Sequence, residues 1–165
     1  MELKREQDEE INVYLAHLLF FLRDPVYQKW ASGYVRQYET SVYDTALEKD
    51  RVHQYFTYKL NADYLLTSLG IFQNLGKPRG AFRRFYEQTP EIYIGRGKAY
   101  YDRAAEYHHQ IYRQQTTLGK ILHRLSLSFE EYVNVLSYMR SAYFDLIKRI
   151  SEEDLASILK FTGTS

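Results

Sequence analysis

Residues 93–125, YIGRGKAYYDRAAEYHHQIYRQQTTLGKILHRL, set Tyr93, Gly97, Tyr100, Ala104, Tyr107, Ile111, Leu118, Leu122 and Leu125 at intervals of three and four residues, with one gap at Gln114. Side chains so spaced share one face of a helix. A period near 3.5 favours neighbouring helices that cross at a shallow angle of about 20°. Thr89-Pro90-Glu91 is a start signal, so the spacing predicts one helix from Pro90 to about Arg124, roughly 50 Å long at about 1.5 Å per residue. A helix of that length needs an equally long partner. The stretch therefore predicts an all-α, antiparallel helical bundle.

The flanking sequence supplies the other helices. Ile11, Tyr14, Leu15, Leu18, Phe21 and Leu22 give an amphipathic helix from about Glu2 to Arg23, ended by Asp24-Pro25. Asp can cap the next helix and Pro is tolerated in its first turn, so Tyr27, Ala31, Tyr34 and Tyr38 continue the pattern. No Pro or Gly stands between Gly33 and Gly70. One long helix or two are both compatible with residues 25–72. Ser41 with Asp44 and Thr45 with Glu48 have capping-box spacing and predict a break near residues 40 to 45. Val52, Phe56, Leu60 and Leu66, with Tyr55 and Tyr64 beside them, carry a helix to about Phe72. Gly76-Lys77-Pro78-Arg79-Gly80 reads as a loop, with a short helical piece over Ala81–Glu87. Ser128 with Glu131 and Ser151 with Asp154 open two further helices, ending near Ile150 and Gly163. The expected whole is a single domain over residues 1–165, a bundle of five or six helices of which two are long.

Composition narrows the function classes. The 165 residues are 45% hydrophobic, enough for one core. Seventeen tyrosines and nine phenylalanines make tyrosine a core filler, and each buried hydroxyl needs a partner. Lys plus Arg (22) nearly balance Asp plus Glu (21), so any affinity for nucleic acid must be local. There is no cysteine, which excludes disulfides, thiolate metal sites and thiol nucleophiles. The acidic opening residues are unlike a secretory signal, and the apolar run Val13–Leu22 is shorter than the about 20 residues a bilayer span needs. The expectation is a cytoplasmic protein without a membrane partner. No serine-hydrolase, dinucleotide or P-loop fingerprint is present, so no cofactor is expected. Gly97 sits on the core stripe, where the missing side chain admits a close neighbour.

Three local patterns carry chemistry. Glu106 and His109 form a Glu-x-x-His pair and Asp50 and His53 an Asp-x-x-His analogue; such pairs resemble those of di-iron carboxylate bundles. If the helices ending near Phe72 and starting near Pro90 form a hairpin, His53 and His109 lie at one level. At about 100° per residue, however, Glu106 and His109 project away from the Tyr100, Tyr107 and Ile111 stripe. Arg103-Ala104-Ala105-Glu106-Tyr107-His108 is similar to the Arg-x4-His motif of HEPN-type helical ribonucleases. That resemblance implies metal-independent RNA cleavage, with Arg103 as phosphate ligand and His108 as acid-base group. On a regular helix the two are about 140° apart. Gly95-Arg96-Gly97-Lys98-Ala99-Tyr100-Tyr101 resembles the first helix of a tetratricopeptide repeat, but no second copy follows at the expected period of about 34 residues.

The third pattern is electrostatic. Lys77, Arg79, Arg83, Arg84, Arg96, Lys98 and Arg103 face only Glu87, Glu91 and Asp102 between residues 73 and 103. They are interleaved with Phe82, Phe85, Tyr86, Tyr93 and Tyr100. Arginine beside exposed aromatics suits phosphates and unstacked bases, and a short helix with these aromatics also suits a cap on the bundle end. The leading expectation is a non-catalytic interaction or regulatory module. Its contact surface is the basic, aromatic end, and its partner is nucleic acid, phosphate, an acidic protein or a second copy. The broad tyrosine arc on the 90–124 helix, which one neighbour cannot cover, favours a homodimer.

Overall fold

The computed structural model describes residues 2–21, 24–36, 38–72 and 89–149. Among the described residues every regular element is helical, and seven α-helices pack on one another. They are α1 (Glu2–Phe21), α2 (Pro25–Ser32), α3 (Glu39–Leu47), α4 (Arg51–Thr67), α5 (Pro90–Tyr112), α6 (Thr117–Leu127) and α7 (Phe129–Arg149). A π-helical turn, Ser68–Phe72, extends α4. None of these helices is long and apolar enough to cross a membrane. The expected segment 81–87 and the terminal helix lie outside the described residues.

Among the described residues the helices outnumber the expected five or six because residues 25–72, read as one helix or two, hold three, and the stretch from Pro90 to about Arg124, read as one, holds two. Residues 25–72 contain α2, α3 and α4: α2 ends at Ser32, α3 runs from Glu39 to Leu47 without a break at 40–45, and α4 starts at Arg51. The two boxes proposed for that break do not cap. The Thr45 hydroxyl instead donates to the Ser41 carbonyl at 2.7 Å within α3, and the working caps stand elsewhere. Asp24 Oδ1 accepts from the Val26 and Tyr27 amides at the head of α2, and Asp50 Oδ1 accepts from the His53 amide at the head of α4.

The second interruption divides the expected 90–124 helix. Arg113 adopts a left-handed conformation (φ 55°) and its amide donates to the His109 carbonyl at 2.8 Å, closing α5. Thr116 then caps α6, its Oγ1 accepting from Gly119 N at 3.0 Å. The break falls at Gln114, the one gap in the stripe. The helix breaks there, and among the described residues the pairings of α5 with α6 and of α4 with α5 are the two most extensive.

α5 is central. Tyr93, Gly97, Tyr100, Tyr101, Ala104 and His108 are its buried residues, so its inward face leans one residue beyond the predicted stripe and leaves Tyr107 half-buried. The tyrosine arc is met from two sides within the chain. Tyr58 of α4 stacks on Tyr107 (centroids 5.8 Å, planes 8° apart), and Tyr43 of α3 meets both Tyr58 and Tyr100. From α7, Phe129 is fully buried and lies against Tyr101, over Gly97. The core is completed by Ile11, Leu15 and Leu18 of α1 and by Leu122, Leu125 and Leu136. A π turn leaves carbonyls without their helical partners, and α7 supplies replacements: Ser137 donates to Gly70 O and Arg140 Nη1 to Ile71 O, each at 2.9 Å.

Candidate functional site

On α4, Phe56, Leu60, Asp63 and Thr67 follow the spacing of a core face, so the Asp63 carboxylate is carried inward and is only 3% exposed. An isolated carboxylate there would be costly. Three donors meet it. Lys59, one turn earlier on the same helix, places Nζ 2.6 Å from Oδ2. Tyr14 of α1 and Tyr101 of α5 donate their hydroxyls to Oδ1 at 2.5 and 2.7 Å. The Lys59 ammonium also lies 5.2 Å from the centre of the Tyr14 ring. Burial, and after it the charge of Asp63, pushes both phenols well above the ordinary tyrosine range, so they remain donors. The cluster ties α1, α4 and α5 through one anion and answers the need of a tyrosine-rich core for acceptors.

Asp63 and Thr67 also stand on the wall of a half-open cleft of about 270 Å³. Its other walls are Leu18, Tyr27, Ala31, Val35, Leu60 and Tyr64, with Gln28 and Ser32 toward the mouth. Burial and the charge of Asp63 raise the Tyr27 phenol as well. Tyr27 belongs in turn to a run of rings across the outside of α1 and α2. Phe20 meets Phe21, Phe21 stacks on Tyr27 (4.9 Å), Tyr27 meets Trp30 (5.7 Å), and Trp30 meets Tyr34 and Phe56. Phe20 (69%), Val26 (78%) and Trp30 (42%) remain exposed.

The residues singled out from sequence are dispersed. Lys77, Arg79, Arg83 and Arg84 lie outside the described residues. Arg96, largely buried, is 3.6 Å from Glu39 and lies over the Tyr93 ring. Lys98 pairs with Glu130 at 3.0 Å, and Arg103 approaches Glu106 at 4.0 Å. His108 is buried between Tyr55 and Tyr112, its Nδ1 3.2 Å from Thr116 Oγ1. Burial, then the neighbouring His109, lowers its pKa. The Thr116 hydroxyl already accepts from Gly119 N, which suits donation of its proton to a neutral His108 ring. Arg103 stays at the surface, and no hydrogen bond or ion pair joins it to His108.

Of the metal candidates, Asp50 and His53 contact each other, Nδ1 to Oδ1 at 2.8 Å. The His53 amide, its largest influence, and then the His53 ring lower the Asp50 pKa. Glu106 and His109 are exposed, as their angles predicted, and both line a shallow cleft with His108, Thr116 and His123. Among the described residues no group of three or more His, Asp or Glu is placed to hold a metal ion.

Sequence reasoning passed over Asp63. The signal was there, since Phe56, Leu60, Asp63 and Thr67 read as one face, and an acidic residue at a core position is the informative exception. Lys59 four residues before it was the second clue. The ring run could be found only in part, because Phe21 to Tyr27 crosses a helix boundary where a single periodicity does not apply. No protein-family model, curated protein or solved structure matches this chain.

Proposed function

We propose that this chain is a non-catalytic interaction module, an antiparallel helical bundle that associates with a second copy of itself through the outer faces of α1 and α2. The observation that carries this reading is the continuous run of rings from Phe20 to Trp30, with Val26 beside it, left open to water. Aromatic side chains are enriched at the centres of protein interfaces. Stacked rings that are already held against one another lose little side-chain freedom on docking. The acid-base groups support a binding role more than a catalytic one: Tyr14, Tyr101 and Lys59 are committed to Asp63, and His108 to Thr116.

Sedimentation equilibrium over a micromolar concentration series tests it. The wild type is expected to dimerise, and Val26→Glu, at a position without core contacts, to remain helical and monomeric. A wild-type monomer throughout the series removes self-association through this face.

A further inference from the structure

The cleft beside Asp63 shares Tyr27 with the ring run, and its chemistry selects a ligand. The buried polar atoms of its Asp63 and Thr67 wall are committed as acceptors, while the Tyr27 and Tyr64 hydroxyls and the Gln28 amide also line it. The Asp63 carboxylate can only accept, and Lys59, Tyr14 and Tyr101 fill three of its roughly four lone-pair positions. Thr67 Oγ1 spends its proton on the carbonyls of Asp63 and Tyr64, at 2.9 and 3.1 Å. Ser32 Oγ, at the mouth, spends its own on the Lys29 carbonyl at 2.7 Å. The remaining capacity of these oxygens is for a donor.

Charge and size narrow the class further. Lys59 already neutralises Asp63, so a cationic ligand would meet an ammonium on the same carboxylate, and an anion would meet acceptors. Apart from Gln28 and Ser32, the rest of the wall is aliphatic or aromatic. A cavity of about 150 Å³ holds benzene, so the present cleft of about 270 Å³ has room for one larger ring system.

We infer that this cleft is a binding site for a small neutral aromatic molecule carrying an N–H or O–H donor. The ring packs between Tyr27, Tyr64 and Leu18, and the donor points at the Asp63–Thr67 wall. The site shares Tyr27 with the face proposed for self-association, and separate readouts, indole binding here and sedimentation there, tell the failure of one from the failure of the other.

The test uses the full chain with indole and 1-methylindole, which differ in the donor, followed by protein-detected NMR titration. Indole is expected to bind saturably, with shifts centred on Tyr27, Leu60 and Thr67, and 1-methylindole at least tenfold more weakly. Ser32→Phe places a ring in the mouth from a surface position. It is expected to abolish indole binding while leaving helicity and melting temperature unchanged. Val26→Glu, off the cleft, is expected to bind indole as the wild type does. Absence of saturable indole binding, equal affinity for both probes, or full binding by a folded Ser32→Phe variant would each overturn the assignment.

Discussion

Alanine at Gly97 and alanine at Gly95 should move stability in opposite directions, although the two positions are two residues apart on α5. Replacing glycine in a helix interior gains about 1 kcal/mol of helix propensity. At Gly95 a Cβ meets nothing within 4 Å, so that gain should be realised nearly in full. At Gly97 a Cβ would stand 3.0 Å from Phe129 Cδ2 and closer still to Cε2 and Cζ. Ordinary contact begins near 3.4 Å, so the tip of the ring must withdraw by about an ångström. Phe129 is fully buried and lies against Tyr101, so its displacement must shift other core side chains. Overpacking of this kind costs about 1–3 kcal/mol; taking the upper end and subtracting the propensity gain leaves Gly97→Ala destabilised by about 2 kcal/mol. In a chain of this length that is a fall in Tm of about 4–8 °C, against a rise of about 2–4 °C for Gly95→Ala. Thermal and urea unfolding followed by circular dichroism measures both. Phe129→Leu should cost less in the Gly97→Ala background than alone, because the smaller side chain relieves the overlap. If Gly97→Ala is as stable as the wild type, the packing of α7 on α5 described above is wrong.

Removing the buried carboxylate tests the other organising contact. Asp63→Ala leaves Lys59, Tyr14 and Tyr101 without their acceptor and should cost about 3–5 kcal/mol. Tyr101→Phe removes one charge-assisted bond and should cost about 1.5–3 kcal/mol by the same urea assay. At high pH the folded state should fail steeply. Tyr14, Tyr27, Tyr55, Tyr64, Tyr100 and Tyr101 all have raised pKa values, chiefly through burial, and burial lifts Tyr58 to about 12. The unfolded chain therefore loses protons first above about pH 10, and stability falls with a slope of about 1.4 kcal/mol per pH unit from Tyr101 alone. The tyrosinate absorbance of these buried rings should appear together with loss of helix; ionisation of all seventeen tyrosines in a fully helical protein would refute the burial assigned to them. On the acid side, the lowered pKa of His108 means that the unfolded chain takes up its proton first. Its contribution is present above about pH 6.5 and lost as pH falls toward the folded value. The urea midpoint should show this decline, and His108→Gln should reduce it.

The helical class and the core role of α5 were legible because periodicity reports directly on which side chains share a face. Gly97 was legible for the same reason: a glycine within an apolar stripe has to be covered by something, and Phe129 covers it. The interruption at 113–116 was written as the gap at Gln114, but it resembled a single polar substitution. What decides it is the left-handed turn at Arg113 and the cap at Thr116, and neither residue type is diagnostic of its conformation. The break between α2 and α3 was misplaced for a related reason. Ser41 and Thr45 match a capping pattern, yet a threonine hydroxyl can return its proton to the carbonyl four residues back and stay within a helix, as Thr45 does.

Asp63 shows why the site was harder to read than the fold. Two of its three partners, Tyr14 and Tyr101, are 49 and 38 residues away. No spacing rule within α4 connects these three positions. Once they are together, the physics is restrictive. A single buried anion with one cation and two phenols is satisfied only when α1, α4 and α5 are all in register, because any of the three helices displaced leaves a buried charge or hydroxyl without a partner. Leucine at position 63 with phenylalanine at 14 and 101 would remove the polar demand of the carboxylate and the phenols, and Lys59, its side chain 16% exposed, can turn its ammonium to water. Such replacements of buried ionic groups are often neutral or stabilising, by about 1–4 kcal/mol. If the cluster is present for register and for the cleft beside it, the triple variant should unfold at or above the wild-type temperature but bind indole no better than 1-methylindole. A triple variant that keeps the wild-type preference for indole would show that Asp63 does not face the ligand.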